Sequence, residues 1–321
     1  MALAFVLLLI FQGISGWNDG GNLMGLVEHA GNKWRLTFAL LLVGMIVGPF
    51  VFGARVADTI GNNIIHLQSG DISVLNLALM ATLLTLVFSW LARVPTSTSL
   101  ALVGGLIGVG GYRLGLHSIR WHGLWMTLLA IVISVTLGFL AGEFLYKIER
   151  RIRQTLQSKW DRFWIPLSYV LSFLQGMAYG ANDAEKAIGL AATLLVIERI
   201  TPGFRITPGL VLGSTFVWLI GALLGGGRIA QTISHAFYEL KPKHVATIQF
   251  TSVLVVMGAA LLGGPVSTTQ TIDSALIGVG HDLRHHHLNR AKVTRLYTAW
   301  ILTLPVSILL GIVVAMLPFA K

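Results

Sequence analysis

Residues 11–26 read FQGISGWNDGGNLMGL, and residues 174–190 read LQGMAYGANDAEKAIGL. In each stretch a glutamine is followed, six or seven residues later, by an Asn-Asp pair, which is Asn18–Asp19 in the first and Asn182–Asp183 in the second. The spacing differs by one residue, so the alignment needs one inserted residue in the second stretch. The match indicates that the chain contains two related halves.

Two further pairs of stretches recur in the same order. Residues 95–110 read PTSTSLALVGGLIGVG and residues 265–280 read PVSTTQTIDSALIGVG. A weaker match relates GARVADTI at 53–60 to GGRIAQTI at 226–233. Three matched pairs in one order are not expected by chance, and they indicate an internal duplication.

The composition shows which class of protein was duplicated. The chain has 321 residues, of which 55% are hydrophobic and 11% are charged, and its mean hydropathy is +0.76. Soluble domains carry about 25% charged residues, so a soluble enzyme is excluded, and disorder is excluded because it requires few apolar residues. The chain has no cysteine, which rules out a disulfide framework. The composition therefore predicts an all-α polytopic membrane protein.

Ten apolar segments, five in each half, are long enough to be membrane helices or parts of them. Two of them, 95–112 and 265–281, are short and rich in Gly, Ser and Thr, so we expect discontinuous or re-entrant helices there. The ten lie at about 1–28, 36–53, 72–92, 95–112, 121–146, 163–197, 207–226, 244–263, 265–281 and 296–319.

An odd number of segments in each half turns the second half upside down relative to the first. We therefore expect two inverted five-segment repeats, an architecture common among secondary transporters. The first repeat is 1–146, a cytoplasmic basic linker is 147–162, and the second repeat is 163–321.

The formal net charge of +10 is interpreted as a topology signal rather than a nucleic-acid site, because cytoplasmic loops collect Lys and Arg. If all ten segments cross, most basic residues lie on one side, with the linker. This predicts a multi-pass protein of the plasma (inner) membrane with both termini outside.

The Asn-Asp pairs are the first candidate site. Burying a carboxylate at membrane depth costs free energy, so such a residue is expected to have a function. The glycines around Asp19 predict an unwound turn that exposes backbone carbonyls beside Asp19 and Asn22. Hard oxygen ligands of this kind suit Na⁺ or a proton. The alternative is a capping motif at the membrane surface.

The Pro-Ser-Thr turns are the second candidate site. Proline at a helix start and capping hydroxyls place free N–H donors and the positive end of a helix dipole at one spot, which suits a tetrahedral anion. The alternative is ordinary helix packing. The predicted anion-binding residues are Ser97, Thr98, Ser99, Ser267, Thr268, Thr269 and Gln270.

Charge balance connects the two sites. The core carboxylates outnumber the one core cation, Lys186, so an anion needs accompanying cations, and this predicts symport with Na⁺ or H⁺. Lys186 aligns with Asn22, and its ammonium is predicted to replace one coupling ion, unless it snorkels to the interface beside Glu185. The predicted ion-coupling residues are Asn18, Asp19, Asn22, Asn182, Asp183, Glu185, Lys186 and Asp273.

The motifs GWNDGGN at 16–22 and GANDAEK at 180–186, each followed by a Pro-Ser-Thr turn, resemble the inorganic phosphate transporter (PiT) family. The resemblance implies inverted repeats, cotransport of phosphate with Na⁺ or H⁺, a Na⁺ site at Asp19, Asn22 and Asp183, and a homodimer. It implies no cofactor other than the coupling ion.

The chain departs from the family pattern at two places. Gln270 stands where the family usually has histidine, and Lys186 stands where many members have asparagine. A sulfate permease of the same fold therefore stays open as the alternative. Asp273 near the anion would favour phosphate, because phosphate can donate a hydrogen bond and sulfate at neutral pH cannot. An anion channel is less expected, and an enzyme is not expected, because the chain has no H-E-x-x-H, G-x-S-x-G or cysteine.

Overall fold

The computed structural model describes residues 1–29, 33–53, 55–92, 96–156, 163–234, 240–282 and 290–317. Within this part of the chain the regular elements are helices, and the one β-bridge joins Ile65 to Ile119. We number the α-helices as α1 Ala2–His29, α2 Trp34–Phe52, α3 Arg55–Asn62, α4 Ile72–Leu91, α5 Thr98–Arg113, α6 Trp121–Leu156, α7 Trp164–Tyr179, α8 Glu185–Ile197, α9 Pro208–Ser234, α10 Pro242–Leu261, α11 Thr268–Asp282 and α12 Arg290–Met316.

The helices confirm an all-α polytopic membrane fold. Six helices of the described chain (α1, α2, α4, α6, α10 and α12) are long and apolar enough to cross a bilayer. Large apolar side chains remain exposed along them, such as Trp125 and Phe144 on α6 and Ile301 on α12. Exposed side chains of this size suit contact with lipid rather than with water.

Helices α5 and α11 are the short segments of the sequence prediction. They have 16 and 15 residues, and at 1.5 Å per residue each spans about 24 Å or less, which is shorter than a bilayer core. Both helices are almost completely buried among the other helices. The anion turns at their N-termini therefore lie inside the protein.

The helices of one half pack on those of the other in a matched way. Helix α1 packs on α9, and α7 packs on α2; α5 packs on α12, and α11 packs on α6. The first helix of each half thus contacts the second of the other half, and the short helix of each half contacts the last long helix of the other. The inverted orientation of the two repeats stays a prediction.

Helix α6 extends through the start of the predicted linker. It runs to Leu156 without interruption, so residues 147–156 of the 147–162 linker continue the last helix of the first repeat. Residues 157–162 lie outside the described part of the chain.

The expected unwound turn beside Asp19 is wrong for the first half, where α1 is continuous from Ala2 to His29. Its glycines serve close packing instead. A Cβ at Gly16 would lie 2.0 Å from the backbone oxygen of Trp218, and one at Gly20 would lie 2.4 Å from the Cβ of Ala222. Small residues let two membrane helices approach until their backbones touch.

The second half does interrupt its helix. A π-helical turn at Gly180–Ala184 separates α7 from α8 and contains Asn182 and Asp183. A π turn accommodates more residues per turn than an α-helix does. It therefore takes up the one residue that the alignment of residues 174–190 with residues 11–26 required as an insertion.

Gly16 and Gly13 offer a matched test of the α1–α9 contact. Gly16→Ala should destabilise the protein by about 1–3 kcal/mol, because its Cβ collides with backbone atoms that cannot move aside. Gly13→Ala should be neutral or stabilising, since its Cβ would meet only a side-chain methyl of Val217 at 3.8 Å. Thermal unfolding in detergent measures both variants, and equal melting temperatures would contradict the role of Gly16 in packing.

Candidate functional site

The two Ser/Thr turns meet in the interior of the protein. Ser97 caps α5 by accepting a hydrogen bond from the Leu100 N–H at 3.1 Å, and Ser267 accepts one from the Gln270 N–H at 3.4 Å. The Ser99 hydroxyl donates to the carbonyl of Val266 at 2.8 Å and so joins the first turn to the second. The N-termini of two short helices therefore share one location.

The paired asparagines hold these turns in place. The Asn18 amide donates to the carbonyl of Thr96 at 3.0 Å, and the Asn182 amide donates to the carbonyl of Val266 at 3.0 Å. Asn182 also accepts the Val266 N–H at 3.2 Å. Thr96 and Val266 occupy equivalent places in the repeated turns, so each asparagine connects its own half's first helix to its own half's turn.

Asp19 is the best-satisfied carboxylate of the site. It is fully buried and accepts four hydrogen bonds, from both halves of the chain. Its Oδ2 accepts from Ser15 at 3.0 Å and from Thr98 at 3.3 Å. Its Oδ1 accepts from Asn18 at 2.9 Å and from Thr269 at 2.5 Å. These four donors are all neutral, so none of them forms an ion pair with Asp19 at the junction of the turns.

Asp183 has a different set of partners. Its Oδ2 accepts from Thr268 at 2.6 Å, as Asp19 accepts from the equivalent Thr98. Its Oδ1 lies 2.5 Å from the Nζ of Lys186, and the side chains of Asp183 and Lys186 are 0% and 1% exposed. The same Nζ donates to the Val266 carbonyl at 3.1 Å. The alternative that Lys186 snorkels to the interface is therefore wrong.

Comparison with known proteins identifies the family of this chain. The model of the phosphate transporter family matches residues 15–177 and 161–311, which together include both turns and both Asn-Asp pairs. The chain belongs to the phosphate transporter family. This confirms the resemblance drawn from the motifs, and a family of transporters confirms the expectation that the protein is not an enzyme.

Individual relatives cover nearly the whole chain. A protein of Rhizobium meliloti strain 1021, named "Probable low-affinity inorganic phosphate transporter", is 31% identical over 94% of this chain and 92% of its own length. A Bacillus subtilis protein of the same name is 27% identical over 96% of this chain and 94% of its own length. A solved structure titled "The sodium-dependent phosphate transporter" is similar with a TM-score of 0.79 at 18% identity, covering 98% of each chain, and supports the fold.

Glu185 and Asp273, two further predicted residues, make no hydrogen bond to the turns among the described residues. Glu185 accepts the backbone N–H groups of Val56 and Ala57, each at 3.1 Å, and so holds the start of α3. Asp273 is buried one helical turn beyond Gln270 on α11. Neither its carboxylate oxygens nor the Gln270 Oε1 finds a hydrogen-bond partner within the described residues. The side chain of Asn22 lies outside that part of the structure.

Sequence reasoning missed two groups of the site. Ser15 donates to Asp19 from four residues earlier on α1, and this i,i+4 spacing on a helix could have identified it. The Val266 carbonyl accepts from Ser99, Asn182 and Lys186. No side-chain pattern could have identified Val266, because its contribution is a backbone atom.

Thr269 and Thr271 allow a matched test of the bond between the halves. Thr269→Val removes a donor from the buried Asp19, and we expect a loss of about 1–3 kcal/mol in stability together with a loss of transport. Thr271→Val removes only a local bond to the Ser267 carbonyl and should change both properties less. Thermal unfolding and phosphate uptake measure the pair. Equal behaviour of the two variants would contradict the proposed importance of Thr269, whereas Thr269→Ser should restore both properties.

Proposed function

We propose that this protein is a secondary active transporter that moves inorganic phosphate across the cell membrane together with Na⁺ or H⁺. The anion is taken up between the turns at Ser97–Ser99 and Ser267–Gln270, and the coupling cation binds beside Asp19. The observation that carries the proposal is that the threonine hydroxyls of the anion turns donate to the two buried aspartates. The anion and the cation therefore interact with the same hydroxyl groups.

The chemistry of a hydroxyl explains how binding is coupled. A threonine hydroxyl has one proton to donate and lone pairs that accept or coordinate. In this structure the protons of Thr98 and Thr269 are directed at Asp19. A cation at Asp19 neutralises the carboxylate and takes hydroxyl oxygens as ligands, which leaves the protons free to point at an anion. Cation binding then raises phosphate affinity, and by linkage phosphate raises cation affinity.

Charge balance supports symport over a passive anion pathway. Asp183 and Lys186 offset each other, whereas Asp19 is surrounded by neutral donors. Bringing a phosphate anion next to a buried carboxylate whose hydrogen-bond donors are all neutral is unfavourable unless a cation arrives with it. A saturable, cation-dependent flux is therefore expected of this site. A channel would not need a buried aspartate that binds a cation together with the anion.

Phosphate is favoured over sulfate by two observations. The chain belongs to the phosphate transporter family, and its relatives with full-length matches are named as phosphate transporters. In addition, Gln270 and Asp273 carry buried oxygen atoms that accept no hydrogen bond in the described chain. These acceptors suit the P–OH group of phosphate, which sulfate lacks at neutral pH.

The proposed setting is the plasma (inner) membrane, with both termini outside and the basic linker at 147–162 in the cytoplasm, as the distribution of basic residues favours. The two inverted repeats form one transport unit, with the site at their junction. A homodimer, which the resemblance implies, is part of the proposal.

Reconstituted vesicles test the proposal directly. Labelled phosphate and labelled sulfate are offered separately under an imposed Na⁺ gradient and under an imposed H⁺ gradient. We expect saturable phosphate accumulation under one of the gradients, abolished when that gradient is dissipated, with sulfate neither accumulated nor competing. Absence of saturable anion flux under both gradients would contradict the function, and accumulation of sulfate alone would establish the sulfate alternative.

Asp19→Asn tests the cation site. The variant keeps the size of the side chain but loses the charge, and we expect phosphate uptake to fall by about 10–100-fold with loss of cation dependence, because charged hydrogen bonds contribute about 1.5–3 kcal/mol. Asp58→Asn is the control, since Asp58 lies on the exposed side of α3 and bonds Asn62 and Asn63. Uptake that depends on the cation gradient equally in both variants would exclude Asp19 as the coupling residue.

A further inference from the structure

We propose that the ammonium group of Lys186 is a permanent cation of the transport site, so that the Asp183 side takes no coupling ion and only the Asp19 side exchanges one. The inference deepens the proposed function and rests on it. Two equivalent half-sites would each take one coupling cation per phosphate. With Lys186 in place, the number of cations that accompany each phosphate is one fewer.

The contacts of the Lys186 Nζ are those of a bound cation. The atom lies 2.5 Å from the Asp183 Oδ1 and 3.1 Å from the Val266 carbonyl oxygen. Carboxylate and carbonyl oxygens are the ligands that hard cations take in proteins. Lys186 thus contributes positive charge at the place where the second half holds its aspartate against its anion turn.

The first half has the same arrangement of asparagine, threonine and aspartate but no ammonium group. Asn18 bonds the Thr96 carbonyl as Asn182 bonds the Val266 carbonyl, and Thr98 donates to Asp19 as Thr268 donates to Asp183. Asp19 accepts hydrogen bonds from three hydroxyls and an amide, whereas Asp183 has Lys186. The residue that aligns with Lys186 in the first half is the uncharged Asn22.

A tethered cation has a different consequence from a diffusible one. Lys186 is a residue of α8, so its ammonium group stays with the protein when phosphate and the exchangeable ion leave. The empty carrier then keeps the Asp183 charge compensated, and of the two motif aspartates Asp19 alone needs a new cation for the next cycle. A purely structural ion pair would position Asp183 in the same way, but its removal would not create an ion site.

The experiment measures the charge moved per phosphate in reconstituted vesicles, from the membrane potential at which net phosphate flux reverses. Lys186→Asn puts the residue of the equivalent first-half position into the second half. We expect this variant to move one more positive charge per phosphate than the unmodified protein does, because the vacated position accepts a coupling ion. Lys186→Arg keeps a fixed cation and should keep the unmodified ratio.

The outcomes separate this inference from the proposed function. An unchanged charge ratio in Lys186→Asn with phosphate uptake intact would overturn the role of Lys186 alone. Absence of gradient-driven phosphate uptake in the unmodified protein would defeat both proposals. If Lys186→Asn does not fold, the inference is tested in the unmodified protein by measuring how uptake depends on the concentration of the coupling cation. We expect a Hill coefficient of about one, and a value of about two would overturn the inference.

Discussion

A carboxylate buried at membrane depth has to find hydrogen-bond donors or positive charge within the protein, and Asp19 and Asp183 impose this requirement on the rest of the structure. Asp19 obtains its donors from α1 and from the two turns, with Thr98 supplied by the first half and Thr269 by the second. The same bonds that satisfy the charge also join the halves. Asp19 therefore links the stability of the fold to the chemistry of the site.

Close helix packing makes these bonds possible. Glycines let the long helices approach to backbone contact where α1, which carries Asp19, crosses α9 and where α7 crosses α2. A Cβ at Gly176, for example, would lie 1.9 Å from the Leu41 carbonyl oxygen, much as one at Gly16 would collide with Trp218. Small residues at such crossings are the usual means of bringing membrane helices together.

The two halves share one pattern of hydrogen bonds but differ in charge. Matched asparagines hold matched turns, and matched threonines donate to matched aspartates. The second half adds a π turn and Lys186, while the first half keeps a continuous helix and an uncharged counterpart. Duplication thus supplied two similar half-sites, and divergence of a few residues changed the charge of one. Under the proposed role of Lys186, this asymmetry gives one half-site a fixed cation and leaves the other with an exchangeable one.

The order of residues alone indicates the class of protein, the ten apolar segments and the duplication, and it predicts most residues of the candidate site, because burial of charge and internal repetition leave direct traces in the sequence. The packing of the helices shows what the sequence could not: Lys186 faces Asp183 rather than the membrane surface, Glu185 holds α3, and the glycines of α1 serve packing rather than an unwound turn. The reason is physical: a side chain's partner across the fold depends on where another helix crosses. Residue types and local spacing predict which groups need partners, whereas the crossing of helices assigns the partners.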